Sequence, residues 1–333
     1  MLNHVVPLGK YRGLLLGLLL CLLLSILVPE TRGDEPLPAS NWNPTNLARI
    51  KASPERTLTF AVMGDNSGTP PVFQRLLSQV QADPDITFAI HLGDMVKQGE
   101  LEEYSCFFKE VQEGLQKPLL TVVGNHELAK PNGRKLYRDI FGPDYYTFQL
   151  NGHCFVMMDV AENQGPGEGQ LRWLEEELQK AQNCLTRLVF FHIPLIDPRG
   201  GSYHRALSEE AGRRLGVLFK KYKVTHIFAA HMHSYFTGDW SGIPYTITAG
   251  AGAPLYGTDP QHYFFHYLKV SLLGDKVQIQ VQRLASPKAD RRQVPRPRVW
   301  LAGNECSPME LVFAFQERTT FHLNPPLPLC RFQ

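Results

Sequence analysis

No two of the six cysteines in this 333-residue chain are spaced as Cys-x-x-Cys, which argues against a thiolate zinc site. No His-Glu-x-x-His occurs either, so the usual zinc-peptidase helix is absent. Charge of one sign is also scarce. The net charge is only +2, which gives no global pull toward nucleic acid or an anionic membrane. The single basic stretch, Arg291–Arg298, carries Pro295 and Pro297 and reads as an extended linker rather than a binding helix. No internal repeat is visible. What the chain does have is apolar residues, 43% of the total, enough for one large domain or two smaller ones with a substantial core.

Long apolar runs are confined to the N-terminus. Lys10 and Arg12 precede a stretch from Leu14 to Val28, and the polar, proline-bearing Pro29–Pro38 follows. Residues 1–33 are therefore expected to be a signal peptide or an uncleaved N-terminal membrane anchor, with the rest of the chain exported. Residues 34–56, with Pro36, Pro38, Pro44 and Pro54, read as a polar linker. Outside the apolar stretch remain Cys106, Cys154, Cys184, Cys306 and Cys330. Cys306 and Cys330 share the C-terminal segment and are the expected pair, while Cys154, inside an apolar strand, is expected in the core.

From Thr57 the pattern alternates. Apolar runs at 57–63, 86–92, 119–123, 187–192 and 224–230 predict buried strands, with helices expected near 70–82, 100–115, 133–140, 168–182 and 206–221. Asn151-Gly152 between two β-rich runs is a two-residue hairpin signal, and Leu273-Gly274-Asp275 joins a second β pair. The expected fold class is α/β, two packed mixed β-sheets with helices outside them.

Each of the five strands ends in a short polar cluster: Gly64-Asp65-Asn66, Gly93-Asp94, Gly124-Asn125-His126-Glu127, Phe191-His192 and His231-Met232-His233. Loops at the carboxyl ends of strands in open α/β sheets are where sites are built. A lone strand-end Asp is more often a turn former or helix cap, and a lone His before Pro194 is more often a strand end. Two Asp, Asn125 and four His on five such ends exceed what packing explains. Hard oxygen and borderline nitrogen donors together suit Mn, Fe, Zn or a similar ion. A carboxylate between two such ions holds the spacing of two-metal hydrolysis. His226, His262, His266, His91, His153 and His322 have no motif support and are read as structural, as is Asp159.

In this order the blocks resemble the calcineurin-like metallophosphoesterases, over about Thr57 to Leu284. The resemblance implies a four-layer α/β/β/α domain over 57–285, followed by an extension, 286–333, of unassigned role. It implies that Asp65 and His233 hold one metal ion, that Asp94 bridges, and that Asn125, His192 and His231 hold the second. His126 would act on the phosphate or leaving group, and His204 falls where the purple acid phosphatase branch keeps a substrate-side histidine. The expected cofactors are two divalent or trivalent ions, and the expected partner is a small phosphate ester, a phosphomonoester before a diester. Two positions depart from the pattern. Ser67 stands where the family has the His of Asp-x-His, and Lys97 stands where the purple branch has its Tyr ligand. The first ion is then one protein ligand short, with water, Ser67 or Asn66 left to fill the place. That shortage keeps open a rival reading, a degenerate metal- or phosphate-binding protein without turnover. Ala230 replaces a Gly common before His-x-His, and Ala249–Pro254 resembles a Gly-rich stretch near the site of secreted members.

Overall fold

Strand β1 (Thr57–Met63) is buried along nearly its whole length and sits inside a mixed sheet, antiparallel to β10 (His266–Leu273) and parallel to β2 (Phe88–His91). A computed structural model of the chain describes residues 36–52, 57–68, 70–200 and 205–285. The apolar stretch 14–28, His204, Cys306, Cys330 and the segment 286–333 therefore lie outside the described residues. Among the described residues no helix is long and apolar enough to cross a membrane.

The first sheet has the order β11-β10-β1-β2-β3, with β3 at Leu119–Thr121 and β11 at Lys276–Arg283. The second has the order β4-β5-β6-β7-β9-β8. Its members are β4 (Tyr146–Leu150), β5 (His153–Met157), β6 (Arg187–Phe190), β7 (His226–Ala229), β8 (Tyr235–Trp240) and β9 (Ile243–Thr248). Both sheets are mixed, as the sequence predicts. Asn151 and Gly152 take positive φ angles of 49° and 81°, the backbone that a two-residue hairpin between β4 and β5 requires.

The two sheets face each other across an aromatic core. Phe60 and Phe88 of the first sheet meet Phe155 and Phe190 of the second, with Phe60 and Phe155 centroids 5.5 Å apart. Each fully buried Phe contributes roughly 1.5–3 kcal/mol, so this layer is a large part of what holds the sheets together. On the outer face of the first sheet pack Pro70–Ala82, Leu101–Gly114 and Gly133–Phe141, through Phe73, Phe107, Phe108 and Tyr137. On the outer face of the second pack Glu168–Lys180 and Glu209–Lys221, through Leu174, Leu178, Leu215 and Phe219. Helix, sheet, sheet and helix make four layers.

Two expectations are corrected. Trp42–Arg49, inside the stretch read as a polar linker, is a helix docked on β3: Trp42 Nε1 donates to Leu119 O at 2.8 Å, and buried Asn43 accepts from Thr121 N at 2.8 Å. Its Pro44 falls in the first turn, where no intrahelical donor is lost. Cys154 is not a free core thiol but is disulfide-bonded to Cys184, with Cα atoms 5.8 Å apart. Strand pairing brings them together, since Cys154 N donates to Thr186 O, two residues beyond Cys184.

Candidate metal centre

The parallel strands end level, and this puts the polar clusters side by side. Met63 pairs with His91 and His91 with Thr121 in one sheet, while Phe190 pairs with Phe228 in the other. The loops after β1, β2, β3, β6 and β7 therefore open on one place. Close approach there needs glycine. A Cβ on Gly93, which has φ 90°, would lie 2.6 Å from Gly124 N.

The structure gathers Asp65, Asp94, Asn125, His192, His231 and His233. Asp94, His192 and His231 each offer an atom within 4.8 Å of the others, and so do Asp65, Asp94 and His233, so Asp94 belongs to both groups. His192 Nε2 lies 3.1 Å from Asp94 Oδ2, 3.0 Å from Asn125 Oδ1 and 3.2 Å from His231 Nδ1. One ring nitrogen cannot satisfy three such neighbours, but a cation among them would. His233 Nε2 lies 3.4 Å from Asp65 Oδ1. Asp65 Oδ1 and Asp94 Oδ2 are buried without a well-directed hydrogen bond, a costly state for carboxylate oxygens unless something positive sits against them. The donor set and the orphaned oxygens fit a pair of metal ions.

The ring orientations are fixed from behind. His192 Nδ1 donates to Leu92 O at 2.7 Å and His233 Nδ1 to Pro254 O at 2.7 Å, which turns both Nε2 atoms inward. Asp65, Asp94, His231 and His233 have φ between 47° and 69°, a left-handed backbone costing roughly 1–3 kcal/mol per residue outside glycine. Such strain clusters where side chains must be aimed.

Charge is concentrated there. Burial works against ionising Asp94, but the positive His192 beside it outweighs this and holds its carboxyl well below the usual range. Burial likewise pulls His192 down, and the Asp94 charge overcomes it, raising His192 to about 9. His233 is also raised, the Asp65 contact prevailing over burial. Burial, with His192 close by, takes His231 down to about 3.

Glu127 is the residue the sequence reading did not assign. Its fully buried carboxylate accepts backbone N–H groups from Asp94 at 2.8 Å, Met95 at 2.7 Å, Val96 at 3.3 Å and Gly124 at 2.6 Å. It therefore ties the Gly93-Asp94 loop to the Gly124-Asn125-His126 loop. The signal was its place in the third cluster, in step with Asn125 and His126. Burial and the Asp94 charge push it up to about 7 against the pull of those amides.

His126 stands apart from the buried set, with its side chain 40% exposed. Its N–H donates to Asp94 Oδ1 at 3.0 Å, its Nδ1 sits 2.6 Å from Lys97 O, and Nε2 is 3.8 Å from Asp94 Oδ2. Ser67, Lys97 and the buried Asn66, whose Oδ1 has no hydrogen-bond partner among the described residues, line one cavity of about 200 Å³. Gly64 makes room for Ala230: a Cβ there would lie 3.0 Å from the Ala230 methyl. His226 and His266 bond to Thr246 and Thr248, and Asp159 pairs with Arg134, all structural as expected.

Comparison with known proteins agrees with this geometry. The calcineurin-like phosphoesterase family matches residues 58–235. The chain is 26% identical over 176 residues to a probable cyclic nucleotide phosphodiesterase of Rhodopseudomonas palustris, covering 50% of this chain and 64% of that protein. It is 24% identical over 301 residues to purple acid phosphatase 23 of Arabidopsis thaliana, covering 73% and 64%. The chain thus spans a little under two thirds of the length of these curated relatives. The solved purple acid phosphatase from yellow lupin seeds superposes with a TM-score of 0.57 at 17% identity, over 70% of this chain and 52% of that one, a likeness of fold.

Proposed function

The chain belongs to the calcineurin-like phosphoesterase family, and from that premise we propose that it hydrolyses phosphate esters, phosphomonoesters foremost, at a dinuclear metal centre. One observation carries the reading: Asp94 is common to two groups of ligand atoms and keeps a buried carboxylate oxygen without a well-directed hydrogen bond. Asp65 and His233 would hold one ion, Asn125, His192 and His231 the other, with Asp94 between. Bound there, two cations supply the charge that lowers the pKa of an attacking water and neutralises the phosphoryl oxygens.

The chain's own residues do the rest. Glu127 fixes the two loops that carry Asp94 and Asn125. The carbonyls of Leu92 and Pro254 keep the His192 and His233 Nε2 atoms pointed inward. His126, oriented by the Lys97 carbonyl and reaching toward the centre from its exposed side, gives a proton to the departing alcohol oxygen. Lys97 in place of a tyrosine supports a centre without tyrosinate colour.

Phosphodiester hydrolysis is the second reading, and the relative from Rhodopseudomonas palustris favours it. Export to an oxidising compartment belongs to the same proposal, supported by the Cys154–Cys184 disulfide. Turnover of p-nitrophenyl phosphate and bis-p-nitrophenyl phosphate after loading with Mn, Zn or Fe tests the proposal. Metal-dependent hydrolysis with the monoester preferred is the expected result. A diester preference would replace the first reading with the second, and no turnover with any ion would leave a binding protein.

A further inference from the structure

At the rim of the metal centre three side chains form a layered stack. The His233 imidazole lies against the Tyr256 ring with centroids 4.5 Å apart and planes 16° apart. The Arg205 guanidinium carbon lies over the same ring, 4.3 Å from its centroid.

The stack is anchored at each level. Tyr256 follows the Ala249–Pro254 loop, which is pinned to the first metal-side loop by Ala251 N to Gly64 O at 3.0 Å and Ala253 N to Asp65 O at 2.7 Å. His233 bonds to the same loop at Pro254 O. Arg205 is held at its backbone, where its N–H donates to Asp197 Oδ2 at 3.4 Å. Tyr256 is 54% exposed, so the stack faces solvent at the opening rather than the core.

The guanidinium has no carboxylate partner among the described residues, although acidic and basic side chains pair widely elsewhere in the fold. An arginine that shares the Tyr256 ring with the ligand histidine His233, and has no ion pair among the described residues, carries five N–H donors in a planar fork with no described carboxylate to receive them. That fork matches two terminal oxygens of a phosphate.

We infer that Arg205, braced by Tyr256, binds the phosphoryl group of the substrate and selects dianionic phosphomonoesters over monoanionic diesters. The inference rests on the proposed phosphoesterase reading and names its substrate class. A monoester presents three terminal oxygens and two negative charges, a diester two oxygens and one charge. A cation added to the metal site therefore gains more from the monoester. Tyr256 is a positioning residue: it touches Arg205 and His233 and acts through them.

The test compares wild type with Arg205→Gln, Arg205→Lys and Tyr256→Ala, all metal-loaded and checked for metal content. Three quantities are read: inorganic phosphate affinity by calorimetry, and kcat/KM for p-nitrophenyl phosphate and for bis-p-nitrophenyl phosphate. Arg205→Gln should weaken phosphate binding ~10- to 100-fold, the usual worth of a charge-assisted hydrogen bond. Its monoester loss should exceed its diester loss about tenfold or more, at unchanged metal content. Arg205→Lys should recover part of both, and Tyr256→Ala should raise KM for the monoester more than it lowers kcat. Unchanged phosphate affinity and an unchanged monoester-to-diester ratio in Arg205→Gln would overturn the inference while the phosphoesterase reading stood. If the wild type turned over neither ester, the phosphate calorimetry would still decide the role of Arg205. A wild type that neither turned over an ester nor bound phosphate would overturn both.

Discussion

Gly124 leaves the space that the Asp94 carboxylate occupies: a Cβ on Gly124 would lie 2.3 Å from Asp94 Oδ1 and 2.4 Å from Asp94 N. Asp94 N is backbone and Asp94 Oδ1 is held by the His126 N–H, so a rotamer change cannot relieve the clash. Gly124→Ala should therefore displace Asp94 and cost metal binding and more than about a hundredfold in turnover, with the fold retained. Elemental analysis and circular dichroism on the same sample check this. Full metal content in the variant would mean that the loop has slack the geometry does not show.

Glu127→Gln should separate scaffold from ligand. The substitution removes the charge and turns an amide N–H₂ toward backbone donors that need an acceptor. With four N–H groups on the carboxylate, a loss of about 2–4 kcal/mol in unfolding free energy is expected, together with weaker metal binding. Denaturant unfolding measures the first and metal titration the second. Normal stability would show that water replaces the carboxylate at no cost.

His126→Ala should slow turnover by about 10²–10⁴, the range for a lost general acid, and leave the metal count intact. Its ring is half out of the buried cluster, bonded to a carbonyl on one side and 3.8 Å from Asp94 Oδ2 on the other. Loss of metal instead would make it a ligand.

Acid should unfold the protein through buried histidines outside the ligand set. Burial lowers His226 and His266 to about 4 from their ordinary 6.5. Below pH 6.5 the unfolded chain takes up protons that the folded state cannot, so stability is full above 6.5 and falls as pH drops toward 4. The loss is on the order of 3 kcal/mol for each histidine at the low end. Unfolding free energies measured from pH 7 to 4 should slope downward, and His266→Gln should flatten the slope. An equally steep slope in that variant would assign the effect elsewhere.

How far these features are legible from the sequence differs by their physics. Strands and site loops were readable because buried parallel strands are continuous apolar runs, and because Asp65, Asp94, Asn125, His192 and His231 follow them directly. The helix Trp42–Arg49 was not, since a short segment with Pro44, Asn43 and Asn46 has little intrinsic helicity and is held by docking on β3. Strand β8 escaped because it is a half-exposed edge containing Gly238 and Asp239, without the alternation that marks a buried face. The Cys154–Cys184 bond joins residues 30 apart, and only the β5–β6 pairing brings them within reach. Glu127 was visible as a letter in a motif, but its task lies in four backbone amides, which no side-chain pattern records.

The most direct test of the shared carboxylate is a metal count on wild type and Asp94→Asn, loaded with the same ion and exchanged into metal-free buffer. Asp94 belongs to both groups of ligand atoms, so the account predicts two ions per chain in the wild type and fewer than one in the variant, with turnover abolished. Two ions retained in Asp94→Asn would contradict it, because neither site would then depend on the residue placed between them.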